Sequence, residues 1–178
     1  ERLFHAFVVS EDLQFFQHSH PTFVGNGVFQ LPITFPQAGM FRVLGDFYPS
    51  GATPQLNAQT LFVPGTAPAP VRLTRDYSTK SAENMRVALE TIPQQPLAGN
   101  RTQMRFRIEP GGGLEKYLGA WAHMLAASND LIDLMHEHPY RVDEGPMVEF
   151  EITFPRPTVY RTWVQFQREG VVNTVRFD

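Results

Sequence analysis

Two stretches of the chain, HAFVVSEDLQFFQHSHP at His5–Pro21 and HMLAASNDLIDLMHEHP at His123–Pro139, fit one template, H-x4-S-x-D-L-x4-H-x-H-P. The protein has 6 histidines, and all of them occupy template positions. An internal repeat constrains a fold more than any local propensity does, because each copy must adopt the same local structure. The similarity continues beyond the motif with a shift of one residue. Ile33-Thr34-Phe35-Pro36 matches Ile152-Thr153-Phe154-Pro155, Phe41-Arg42 matches Tyr160-Arg161, Phe47 matches Phe166, and Gly51 matches Gly170. The copies are about 118 residues apart, the size of an immunoglobulin-like domain.

The Pro/Gly/Ala-rich stretch Val63–Val71 reads as a linker or exposed turn and divides the chain into units 1–65 and 66–178. In the second unit strands are expected near Val71–Arg75, Met85–Glu90, Gln103–Glu109, His123–Ser128, Leu131–His136, Val148–Phe154, Tyr160–Gln167 and Val171–Phe177. TQMRFRIE and VEFEITF alternate apolar and polar residues, the period of a half-buried strand. The expected fold is all-β: two tandem immunoglobulin-like or cupredoxin-like sandwiches, the first lacking its early strands. Its open sheet edge is expected to be covered by the second unit, by the linker or by another chain.

One local signal conflicts with this reading. GLEKYLGAWAHMLAASNDLIDLMHEH is rich in Leu, Ala and Met and would suit an amphipathic helix. The matching HAFVVSEDLQFFQH is β-branched and aromatic, which favours strand. Since repeats share a fold, strand is preferred in both.

Each motif is then a β-hairpin. Turns at Glu11-Asp12 and Asn129-Asp130 would set His5 opposite His18 and His123 opposite His136, with His20 and His138 two residues further along the same face. The template Ser and Asp would sit at the turn and bond nearby backbone groups. The histidine face would also carry Phe7, Val9 and Phe16 in one copy and Leu125, Leu134 and Ile132 in the other, placing the imidazoles at the rim of an apolar core. Within the chain the histidines are kept while their neighbours change: Val8 becomes Ala126, Phe15 becomes Asp133 and Phe16 becomes Leu134.

Three convergent imidazoles suit copper or zinc. His5, His18 and His20 form one candidate metal site, and His123, His136 and His138 the other. Coordination needs neutral imidazole, so binding is expected to weaken as pH falls through the ordinary histidine range near ~6.5. The plainer alternative is a structural or adhesion module in which the histidines only close the end of the sandwich. A metal-dependent enzyme is a third possibility without a supporting base, because Glu137 points to the opposite face of its strand.

Composition narrows the field further. With 0 cysteines there are no disulfides, thiolate metal sites or cysteine nucleophiles. A net charge of −3 gives no electrostatic reason to bind nucleic acid or an anionic membrane, and no apolar run approaches the ~20 residues of a membrane span. The chain opens at Glu1 without a signal-peptide pattern, as a trimmed mature form would. Gly111-Gly112-Gly113 precedes Leu-Glu-Lys and reads as a flexible turn, not a phosphate loop. Ser10 and His5 stand five residues apart on one strand, roughly 16 Å, too far for a hydrolase pair. Trp121 and Trp163 are expected as core anchors, and Asp143-Glu144 as a solvated turn.

The motif resembles that of a group of uncharacterised exported bacterial proteins with H-L-F-V-V-S-x-D-L-x-x-F-x-H-x-H-P followed by a β-rich repeat. Tyr117-Leu118-Gly119-Ala120 and Val164-Gln165-Phe166-Gln167 resemble that group too. The resemblance implies a periplasmic or secreted immunoglobulin-like or cupredoxin-like sandwich associated with heavy-metal handling. A blue-copper role is excluded by the missing cysteine ligand. The expected function is thus an exported, non-catalytic metal-binding protein.

Overall fold

The computed structural model describes residues 4–142 and 146–178, so Asp143 and Glu144 lie outside the described residues. The chain divides into two compact units, Glu1–Arg72 and Leu73–Asp178. All regular structure among the described residues is β, in antiparallel sheets. No helix among them is long and apolar enough to cross a membrane.

The first unit contains β1 (Phe4–Ser10), β2 (Phe16–Ser19), β3 (Thr22–Gly25), β4 (Val28–Gln30), β5 (Gly39–Phe47) and β6 (Gln55–Val63). Its main sheet has the order β2-β1-β5-β6, and β3 and β4 form a separate hairpin. The β1 sequence FHAFVVS is aromatic and β-branched, and every residue after Phe4 is buried. The Pro/Ala-rich stretch packs against the start of β5. A Cβ added to Gly65 would meet the Ala38 side chain at 2.7 Å, and Gly65 has φ +133°, so only glycine suits this crossing.

The second unit contains β7 (Lys80–Ser81), β8 (Arg86–Ile92), β9 (Arg101–Glu109), β10 (Leu114–Glu115), β11 (His123–Ser128), β12 (Leu134–Glu137), β13 (Arg141–Val142), β14 (Met147–Thr153), β15 (Tyr160–Arg168) and β16 (Val171–Phe177). One sheet runs β13-β14-β9-β8-β7. In the other, β15 is central and pairs with β10, β11 and β16, while β12 continues from β11. The two sheets share one apolar core and make a β-sandwich. Met104, Phe106 and Ile108 of β9 and Val148, Phe150 and Ile152 of β14 meet Met124 and Ala126 of β11, Val164 and Phe166 of β15, and Val175 and Phe177 of β16. Each fully buried large side chain contributes about 1.5–3 kcal/mol. The alternate residues of β9 face outward, where Arg105 pairs with Glu149 at 3.3 Å and Arg101 with Glu151 at 3.1 Å.

The strands anticipated at His123–Ser128, Gln103–Glu109 and Val171–Phe177 form, and the helical signal around His123 is overridden by packing on both faces of β11. Val71–Arg75 is not a strand. The strand that pairs with the outer side of β8 is the short Lys80–Ser81. Trp163 is buried as expected, but Trp121 is 38% exposed, with the Lys116 Nζ 5.9 Å from its ring centroid.

Candidate metal centres

The sequence S-x-D-L builds the loop that joins the two strands of each motif. In the first copy the Ser10 hydroxyl donates to Asp12 Oδ1 at 2.5 Å and accepts from the Phe15 N–H at 2.9 Å. Asp12 Oδ1 also accepts from the Gln14 N–H at 3.1 Å. The second copy repeats the pattern. Ser128 Oγ donates to Asp130 Oδ1 at 2.6 Å and accepts from the Asp133 N–H at 2.9 Å, and Asp130 Oδ1 accepts from the Ile132 N–H at 3.2 Å. The template leucines, Leu13 and Leu131, take the left-handed conformation with φ of 58° and 55° and are buried. Burial of the side chain holds a backbone geometry that leucine rarely adopts.

This loop corrects the expected register. The connection spans residues 11–15 and 129–133, longer than the turns expected at residues 11–12 and 129–130. His18 is opposite Phe7, not His5, and His136 is opposite Leu125, not His123. Carried one step further, the same registers set His5 level with His20 and His123 level with His138. The slip is two residues in both copies. A slip of two preserves the face of every side chain, so the histidines still converge. Strand β12 begins at Leu134 and not Leu131, and Ile132, expected on the histidine face, is a loop residue 68% exposed.

The convergence is close. In the first unit the ligand nitrogens of His5, His18 and His20 lie within 4.8 Å of one another, and so do those of His123, His136 and His138 in the second. His5 Nδ1 is 3.1 Å from both His18 Nε2 and His20 Nε2. His123 Nδ1 is 3.0 Å from His138 Nε2. Two nitrogens bound to one ion by ~2.0–2.1 Å bonds at a tetrahedral angle stand roughly 3.3 Å apart, so either triad can close on an ion with small side-chain movements. His5, His18 and His123 are buried.

The second triad lies on the far side of its sheet from the sandwich core. Met124 and Ala126 belong to the sandwich core of the second unit, whereas His123 and Leu125 alternate with them and occupy the opposite face of the sheet. Glu137 is paired with Met124, so it lies off the imidazole face.

Three groups support the imidazoles and their loops; sequence reasoning placed Phe7 on the histidine face but assigned no supporting role to Tyr117 or Arg156. The ring of Phe7 stacks on His18 with centroids 4.2 Å apart. The Tyr117 carbonyl accepts from His123 Nε2 at 2.8 Å, which fixes the proton on Nε2 and leaves the Nδ1 lone pair for a ligand role. Tyr117 is held by a tight turn to Ala120 through Leu118 and Gly119, both at positive φ, so the Y-L-G-A sequence was the available signal. Arg156 clamps the second loop, donating from Nη1 to Asp130 Oδ2 and from Nε to Asp133 Oδ2, each at 2.8 Å. Arg156, then Ser128, holds the Asp130 carboxyl well below the usual carboxylate range.

The chain is therefore an all-β protein with two histidine clusters of ligand-like geometry, able to hold a divalent metal ion. Residues 80–178, more than half of the chain, match the family model described as Domain of unknown function (DUF8832), and the protein belongs to that family. The matched region contains the second triad. No curated protein and no solved structure matches the chain.

Proposed function

We propose that this is an exported, periplasmic or secreted, metal-binding protein without catalytic activity, holding one copper or zinc ion in each three-histidine site. The observation that carries this reading is the common nitrogen pattern. In both clusters Nδ1 of the first histidine approaches Nε2 of the third, at 3.1 Å in one and 3.0 Å in the other. Two triads with the same loop, the same two-residue offset and the same nitrogens on their first and third histidines fit a duplicated unit, of immunoglobulin-like or cupredoxin-like type, maintained for coordination. Each site supplies three imidazole nitrogens, a donor set that suits copper and zinc alike.

A structural or adhesion module is the second reading. It is favoured by the same short distances, since imidazoles 3.0–3.1 Å apart can hydrogen-bond one another and close the hairpin end on their own. Calorimetry on chelator-stripped protein, titrated separately with Cu(II) and Zn(II), separates the two. Two sites of micromolar or tighter affinity, one lost in His18→Ala and the other in His136→Ala, support the metal reading. Absence of binding at neutral pH leaves the structural module.

A further inference from the structure

We propose that β6 is a self-association edge: two copies of this chain pair their β6 strands antiparallel about Gln59 and continue one sheet across a dimer. The proposal does not rest on the metal reading. Among the described residues β6 pairs with β5 alone, so its outer edge is a row of backbone donors and acceptors without a strand partner. Such edges are ordinarily blunted by a charge, a proline or a bulge. β6, QLNAQTLFV, has none of the three. Its 9 residues run in unbroken register, from Gln55 opposite Phe47 to Val63 opposite Gly39. Arg42 and Asp46, both on β5, are the only Asp, Glu, Lys or Arg residues from Leu13 to Val71.

Comparison with β16, the corresponding strand of the second unit, shows how β6 is adapted. With Arg42 matched to Arg161, Gln55, Asn57 and Gln59 hold the places of Asn173, Val175 and Phe177. Those three residues of β16 are buried, Val175 and Phe177 in the sandwich core. Their counterparts on β6 are exposed amides, and Gln59 Nε2 donates to Asn57 Oδ1 at 2.8 Å. The other face changes in the opposite sense. Leu56 and Ala58 hold the places of Thr174 and Arg176, and Leu56 and Phe62 are 55% and 75% exposed. β6 therefore suits water on the face where β16 meets a second sheet, and carries exposed apolar side chains on the other. A stacked sheet would bury the amides, whereas a strand added at the edge leaves them wet. A second copy fits that edge. Antiparallel pairing centred on Gln59 sets Leu56 of each copy opposite Phe62 of the other, and Ala58 opposite Thr60. Only Gln59 faces itself. Strands lie ~4.8 Å apart, so the two β5 strands, with Arg42, stand three spacings or roughly 14 Å from each other, beyond the ~8 Å screening length.

Sedimentation equilibrium of the full chain tests this, with a chelator present so that no metal ion bridges two copies. The wild type should show a concentration-dependent monomer–dimer equilibrium. Gln59 is exposed, so a charge there should leave the monomer folded, which circular dichroism checks. Gln59→Lys and Gln59→Glu each set like charges directly opposite one another and should weaken the dimer at least about tenfold. An equimolar mixture of the two variants should restore association, since the facing charges are then opposite in sign, a gain that misfolding cannot mimic. A wild type that stays monomeric, a dimer indifferent to both substitutions, or a mixture that fails to associate overturns the proposal.

Discussion

The ring of Phe7 lies against the imidazole of His18, with centroids 4.2 Å apart and planes within 15°, and the two residues are direct partners across β1 and β2. Leu125 holds the same place opposite His136. The second unit therefore shows that a flat ring is not required there, only an apolar floor. Phe7→Leu should cost less than about 1.5 kcal/mol, whereas Phe7→Ala should cost about 3–5 kcal/mol and loosen His18. Urea denaturation measures both, and equal costs for the two variants would contradict the packing role.

Ser128 supports its loop through one donated and one accepted hydrogen bond. Ser128→Ala leaves the Asp133 amide without this partner and should destabilise the second unit by about 1–3 kcal/mol. Ser10→Ala should have a similar effect, since Ser10 makes the same pair of contacts in the first loop. Amide hydrogen exchange should show faster opening of Asp133 and Phe15, respectively. Unchanged protection at those amides would mean that the loop is held by other means.

Acid should weaken both loops. Asp130 is held below the usual carboxylate range by Arg156 and then Ser128. Asp12 is also lowered: burial pushes it up, but bonds from Ser10, Gln14 and Gln37 outweigh this. A depressed folded-state pKa contributes stability that is present above about 4 and is lost as pH falls below it. Asp130→Asn should reduce the melting temperature at pH 7 and shrink the further drop between pH 5 and pH 3. It should not abolish that drop, since Asp76, bonded by Lys80 and Ser78, is depressed as well. An undiminished drop in the variant would contradict the role assigned to Asp130.

Phe106 is fully buried and contacts the rings of Phe150, Phe166 and Phe177 at centroid distances of 5.6, 6.0 and 5.8 Å. Phe106→Ala should cost about 3–5 kcal/mol. Chemical denaturation followed by the fluorescence of Trp121 and Trp163 measures it. A cost under about 1 kcal/mol would mean that the sandwich core does not centre on this residue.

The convergence of the histidines was legible because side-chain alternation depends on parity alone. His5, His18 and His20 share a face for any even register, so the two-residue error in pairing left the site intact. The register was misread because the loop relies on leucine at positive φ, and nothing in the leucine residue itself announces that conformation. Ile132 was misplaced for the same reason: the long loop removes it from the strand. Hydrophobic alternation located β9 and β14, whose apolar residues build one side of the core. The short strands Lys80–Ser81, Leu114–Glu115 and Arg141–Val142 were not anticipated, since two residues carry no period. Tyr117 acts through its backbone carbonyl, which every residue has, so side-chain chemistry could not reveal it.

The central claim is that the imidazoles of each triad bind one ion. X-ray absorption at the zinc edge of the protein loaded with two equivalents of Zn(II) tests it most directly. The account predicts a first shell of nitrogen at ~2.0–2.1 Å with the outer-shell scattering of about three imidazoles per zinc, reduced when His18 or His136 is replaced by Ala. A shell of oxygen alone without imidazole scattering, unchanged in those variants, would contradict it.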